Sequence, residues 1–85
     1  MSPLKRGKVE IIRDILTSAL TGKTKTEIVY NAKLNFKLFD RYATLLLEKN
    51  FLSIKYRNSC KVYVTTRKGK EILNRINEIL DMIFG

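Results

Sequence analysis

Histidine is absent from the 85 residues, and cysteine occurs once, at Cys60. Without a second thiol no disulfide can close within the chain, and without histidine no zinc site of the usual kind can form. The same absence removes the commonest general acid–base group, and the acids, 8 against 17 bases, are scattered over helix surfaces rather than paired as carboxylate chemistry requires. There is no glycine-rich phosphate loop and no cluster of metal ligands. Neither enzymatic activity nor a cofactor is expected, and no small-molecule ligand is evident. Long apolar runs are missing too: none approaches the ~18 to 20 residues of a membrane span. The opening MSPLKRGKVEII reaches an acid at Glu10 and lacks the apolar stretch of a signal peptide. A cytoplasmic protein with no membrane contact is expected.

What the chain has is positive charge. Its length suits one small domain with a modest core, and its formal charge is +9. From Lys49 to Lys70 seven bases (Lys49, Lys55, Arg57, Lys61, Arg67, Lys68, Lys70) meet no acid, whereas Glu71 to Gly85 holds three acids against Arg75 alone. Nucleic acid is the commonest partner of such a basic body. An anionic membrane surface, an acidic protein, or simply a lysine-rich solvated surface are the alternatives.

Apolar residues recur at helical spacing through Val9, Ile12, Ile15, Leu16, Ala19 and Leu20, which predicts a first helix over residues ~7 to 20, ended by Thr21-Gly22. Thr24 and Glu27 stand at capping-box spacing before a short second helix from Lys25 to about Ala32 that buries Ile28, Val29 and Ala32. Asn35 is placed to cap a third helix with Phe39, Tyr42, Ala43 and Leu46 inward and Lys37, Arg41 and Thr44 on another face. Asn50 takes the left-handed position at its end. Two short helices and a tight turn fit a helix-turn-helix. Tyr30 and Tyr42 are read as core, Phe36 as covering the core's edge, and Lys5, Arg6 and Lys8 as a solvated basic arm.

Residues 52–64 read as a β-hairpin. Putting Leu52, Ile54 and Tyr56 on the same face as Cys60, Val62 and Val64 favours a three-residue loop, either Arg57 to Ser59, with Ile54 opposite Val62 and Leu52 opposite Val64, or Asn58 to Cys60, with Arg57 opposite Lys61; the first is the expectation. Ser53, Lys55, Arg57, Lys61 and Tyr63 would then line the outer face, with Lys55 opposite Lys61. That like-charge pair is unfavourable in the free chain, and a phosphate backbone would reverse its sign. Cys60 is read as a small filler near the tip.

Thr65-Thr66 supply a cap for a last helix of about 16 residues, whose apolar positions include Ile72, Leu73, Ile76, Ile79, Leu80, Ile83 and Phe84. The order helix, helix-turn-helix, hairpin, helix is that of a winged helix, an α+β fold that is mostly helical. The segments KVEIIRDIL, KTEIVYNAKLNFKLFDRYATLLLEKNFL and VYVTTRKGKEIL resemble the small archaeal winged-helix DNA-binding proteins of about ten kilodaltons and the related MarR-like regulators. The resemblance covers most of residues 8 to 80. It implies a third helix in the major groove, a wing on backbone or minor groove, and a dimer joined through the C-terminal helices.

Carried onto this chain, the resemblance makes Asn35, Lys37, Arg41 and Thr44 groove-facing, places Lys25 and Thr26 at phosphate, and puts Lys55, Arg57, Asn58 and Lys61 in the wing. Ile72, Ile76, Ile79 and Ile83 follow the spacing of a coiled-coil seam and are the expected dimer interface. Residues 1–70 would be the DNA-binding core with its basic arm, and 71–85 the dimerisation helix continuous with it. Two departures stand out. Asp40, inside the recognition helix, would repel phosphate unless it pairs with Arg41, Lys37 or another nearby base. The ten-kilodalton relatives also carry a longer coiled-coil stem than a helix that reaches Gly85. The expectation is a dimeric, nucleoid-associated, double-stranded-DNA-binding transcriptional regulator. The alternatives are a winged helix that docks proteins and a non-specific chromatin-type binder.

Overall fold

The structure, a computed structural model, describes residues 6–85; Lys5 of the expected arm lies outside them. Helix α1 runs Lys8–Ser18 and tightens into a single 3-10 turn, Ala19–Thr21. It buries Ile11, Ile15 and Leu16 on one face. Gly22, at φ +79°, takes the left-handed backbone conformation that glycine adopts without steric cost.

Helix α2, Lys25–Asn31, begins with the reciprocal cap that Thr24 and Glu27 indicate. The Glu27 N–H donates to Thr24 Oγ1 at 3.2 Å and the Thr24 N–H to Glu27 Oε1 at 2.9 Å. That backbone hydrogen bond holds the Glu27 carboxyl below its ordinary pKa. Helix α3, Phe36–Glu48, starts where the Leu38 N–H donates to Asn35 Oδ1 at 2.7 Å. Both helices end in a Schellman arrangement, with Leu34 N–H on the Val29 carbonyl and Phe51 N–H on the Leu46 carbonyl, each at 2.9 Å. Asn50 holds the left-handed position of α3, as its sequence place indicates. Lys33 holds that of α2 at φ +55°.

Strands β1, Leu52–Arg57, and β2, Cys60–Thr65, form the hairpin, and α4 spans Arg67–Phe84. The register differs from the sequence expectation. Asn58 and Ser59 alone make the loop, both at positive φ (+53° and +66°), which is the type I′ turn whose twist suits a two-residue hairpin. Ile54 therefore pairs with Tyr63, Leu52 with Thr65, Lys55 with Val62 and Tyr56 with Lys61. The expected Lys55–Lys61 pair does not exist; the two side chains lie on opposite faces. The reason is that β2 is covered on both faces where an isolated bridge from Lys23 meets it. Lys23 bonds to its second edge, through Lys23 N–H to the Tyr63 carbonyl at 3.0 Å and Tyr63 N–H to the Lys23 carbonyl at 2.7 Å. Consecutive residues Val62 and Tyr63 are both buried, so the one-sided alternation used to choose the register does not hold there. Tyr63, expected outside, packs edge-on to Phe39 with ring centroids 5.2 Å apart, while Ile54, expected inside, is exposed.

The core joins Ile15 and Leu16 of α1, Ile28 of α2, and Phe39 and Leu46 of α3, all fully buried. Helix α4 packs chiefly on α1 and brings Leu73 into the cluster. The buried Thr65 hydroxyl donates to the Leu16 carbonyl at 2.7 Å, which ties the hairpin's end to α1.

Three other residues depart from expectation. Arg6 is no free arm residue: its guanidinium binds Asp14 at 2.7 Å and donates to the Lys33 carbonyl at 2.8 Å and to that of Ala32. It thus closes the carbonyl end of α2 across a gap in sequence that no local pattern reveals. Tyr30, expected in the core, is 84% exposed, because Ile28, Val29 and Ala32 already fill the inward side of a seven-residue helix. Phe36 is half exposed rather than sealing the core's edge.

Candidate nucleic-acid interface

The outward side of α3 carries Lys37, Arg41 and Thr44 at helical spacing, all exposed. Neither Lys37 nor Arg41 meets a carboxylate within ion-pair distance among the described residues. The Thr44 hydroxyl donates back to the Asp40 carbonyl at 2.8 Å, which turns its methyl and lone pairs outward. Asn35 has its side-chain oxygen committed to the cap, and its amide NH2 is the group left for a ligand.

Asp40 finds the nearby base that its position demands. Lys25 Nζ lies 2.7 Å from Asp40 Oδ1 and 5.5 Å from the Phe36 ring centroid. The ion pair offsets the carboxylate's charge beside α3 only while Lys25 stays on it, so Lys25 is engaged rather than free. Both side chains remain substantially exposed, and such a pair is worth little, about 0 to 1 kcal/mol. An incoming phosphate could take Lys25 at small cost. Thr26, in the first turn of α2, is exposed beside it.

The wing distributes its cations in a way the sequence did not reveal. Lys55 and Arg57 share one face and Lys61 the other. Arg57 leans back toward the α1–α2 junction, its Nη2 3.5 Å from the Thr21 carbonyl, and Lys61 Nζ sits 5.4 Å from the Tyr63 ring centroid. Asn58 and Cys60 are exposed at the tip. Among the described residues Lys55 is thus the wing cation whose ammonium makes no hydrogen bond, ion pair or aromatic contact. Sequence reasoning passed over Lys33, exposed at the end of α2, and the open notch between α2 and α3 that Lys33 lines with Tyr30 and Phe36. The signal was present in the unusual density of aromatic and basic residues in this short helix pair.

The expected seam on α4 is only partly free. Ile76 is buried and Ile72 partly buried within the chain's own core; the exposed apolar residues are Ile79, Met82, Ile83 and Phe84. Burial along α4 ends at Ile76, and beyond it only Leu80 is partly buried. Among the described residues no group of three or more His, Cys, Asp or Glu could hold a metal ion, and no helix is long and apolar enough to cross a membrane.

The fold recurs in known proteins. Sso10a-2, a DNA-binding protein from Sulfolobus solfataricus, has a crystal structure that superimposes with a TM-score of 0.83 at 32% identity, covering 91% of this chain and 81% of that one. A Listeria innocua protein with unknown function matches with a TM-score of 0.72 at 18% identity, over 85% of this chain and 52% of that one, which shows the fold alone. An uncharacterized protein of Methanocaldococcus jannaschii is 35% identical over 82 residues. That alignment takes in 95% of this chain but 37% of the relative, so the chain spans little more than a third of that protein's length. The winged helix-turn-helix family model matches residues 5–84, and the chain belongs to that family.

Proposed function

We propose that the chain binds double-stranded DNA, with α3 in the major groove and the wing on the flanking backbone, and that it acts as a transcriptional regulator in the cytoplasm at the nucleoid. The observation that carries this reading is the row Lys37, Arg41 and Thr44, exposed on one helix, with neither cation held by a carboxylate among the described residues. The description of Sso10a-2 as a DNA-binding protein, at 32% identity, supports it. Phosphate contacts release condensed counterions, so the affinity for duplex must fall with salt. Four contacts, from Lys25, Lys55, Arg57 and Lys61, give a slope of log K against log salt of about −3 to −4. Titration of a short blunt duplex at several salt concentrations measures it, and a flat dependence or no binding at low salt overturns the proposal. A flat result would favour a winged helix that docks a protein, since fold alone does not fix function. Selection from random duplexes separates regulator from coating protein: a palindromic consensus supports the first, no consensus the second.

The same proposal includes a two-fold dimer through the distal part of α4. Ile79, Met82, Ile83 and Phe84 leave a contiguous apolar strip in water, and an antiparallel copy would cover it and present two recognition helices to one site. The interface is short, so dissociation in the micromolar range is expected. Equilibrium sedimentation at tens of micromolar should find the dimer, and Ile79→Lys a folded monomer. A monomer for the unmodified chain at that concentration removes the dimer from the proposal.

A further inference from the structure

The notch between α2 and α3 is lined by Thr26, Val29, Tyr30, Lys33, Leu34 and Phe36 and has a volume of about 400 Å³, within the range of small-ligand sites. We propose that it is a stacking site for an unpaired nucleobase of single-stranded nucleic acid, a ligand distinct from the paired duplex that α3 would read. Two aromatic rings stand open to water on its wall, Tyr30 84% and Phe36 49% exposed. Neither belongs to the buried core; Tyr30 is almost fully open, and Phe36 has Lys25 over its ring. Aromatic faces held in water beside a groove are what single-strand binders use, because every base has a π-face and stacking tolerates any sequence.

Charge selects among possible occupants. The lining contains no acid, and it contains Lys33, whose left-handed backbone at φ +55° is held by the Schellman end of α2. A second ammonium, that of Lys25, stands over the Phe36 ring at 5.5 Å. The adjacent carboxylate, Asp40, is matched by Lys25 at 2.7 Å. A flat ligand with a negative backbone fits this lining: the base meets Tyr30 and the open side of Phe36, and its phosphate meets Lys33. A second copy of this chain, carrying the same +9, would bring like charge to a face already rich in lysine. Bases inside a duplex are stacked on their neighbours and cannot offer a free face, so the ligand must be unpaired. The notch adjoins the proposed duplex surface at Thr26, which would let the protein hold a strand where a duplex opens.

The inference stands apart from the duplex reading, and the experiment keeps them apart. A short single-stranded oligonucleotide containing 2-aminopurine and a blunt duplex of the same length are titrated with the full chain. The unmodified protein should quench the 2-aminopurine on binding. Tyr30→Ala, and Tyr30→Leu, which keeps apolar area without a π-face, should weaken single-strand binding about tenfold or more and abolish the quench. Tyr30→Phe should retain both, while duplex affinity changes by less than about twofold in all three variants, in keeping with an exposed residue that takes no part in the fold. Thermal melting verifies that each variant is folded, and Tyr30→Leu against Tyr30→Phe carries the comparison should Tyr30→Ala melt early. Unchanged single-strand affinity and quenching in Tyr30→Leu would overturn the proposal. So would an equal loss toward duplex and single strand, which would place Tyr30 in the duplex surface, or dissociation of a dimer in sedimentation with quenching intact, which would assign the notch to a second copy. If the blunt duplex fails to bind while the quench persists, the duplex reading falls and this one stands.

Discussion

Gly69→Ala is expected to lower stability by about 2 to 4 kcal/mol, more than most single substitutions in a chain of this size. Helix propensity alone points the other way, since alanine is better than glycine in a helix by about 1 kcal/mol. Packing decides the sign. Gly69 is buried in the first turn of α4, and a Cβ built there falls 2.1 Å from the Phe51 carbonyl oxygen and 2.8 Å from Thr65 Cγ2. The carbonyl cannot easily retreat, because it accepts the Thr66 N–H at 3.0 Å. The Thr66 hydroxyl, in turn, donates to the Asn50 carbonyl at 2.6 Å and caps α4 by accepting from the Gly69 N–H at 2.9 Å. Inserting a methyl group must therefore move the start of α4 away from the end of α3 and the base of the hairpin together. Urea denaturation of the two proteins checks this, and equal midpoints would show that the close approach relaxes freely.

That arrangement shows where legibility in the sequence stops. Thr66 as a cap, Asn50 as a left-handed terminus and the Thr24–Glu27 box were readable because each is a contact within three or four residues, and the inward stripe of α3 was readable from its period. The meeting of Gly69 with Phe51 was not, because nothing local marks a close approach between segments 18 residues apart. The hairpin register failed for a related reason. Alternation identifies a strand with one covered face, and β2 is covered on both at Val62 and Tyr63, with Lys23 on its far edge. Of the candidate site, the exposed row on α3 followed from helical period. The engagement of Lys25 with Asp40, the lean of Arg57 toward Thr21 and the position of Arg6 are side-chain choices made in three dimensions among several nearby partners.

Arg41→Ala is expected to weaken binding to a preferred duplex by about 1 to 3 kcal/mol and to relax the preference at one base position, because a guanidinium facing the groove can bond to a guanine edge at two points. Arg41 is free to do so: it is exposed on α3, and the acid beside it in sequence, Asp40, is bound by Lys25. Lys55→Ala should behave differently. With Lys55 on a wing face and clear of the core, its loss should weaken all duplexes alike and reduce the salt slope by about one unit. Measuring both variants against a selected site and a scrambled duplex separates the roles. If Arg41→Ala binds every sequence as the unmodified chain does, α3 is not the reading helix.

The hairpin has one more consequence, for the behaviour of the protein at high concentration. Among the described residues β2 is bonded to β1 along one edge and met by Lys23 at Tyr63 on the other, whereas no strand lies on the outer edge of β1. An open edge is a template on which another chain's strand can add, and charged side chains along it are a common safeguard. Lys55 and Arg57 stand on that strand, so the cations proposed to meet phosphate are also placed to discourage one wing from pairing with another. A double variant that removes both would present a bare edge flanked by the exposed Ile54 and Tyr56, and any fall in its duplex affinity has to be read against strand-to-strand association of the protein with itself.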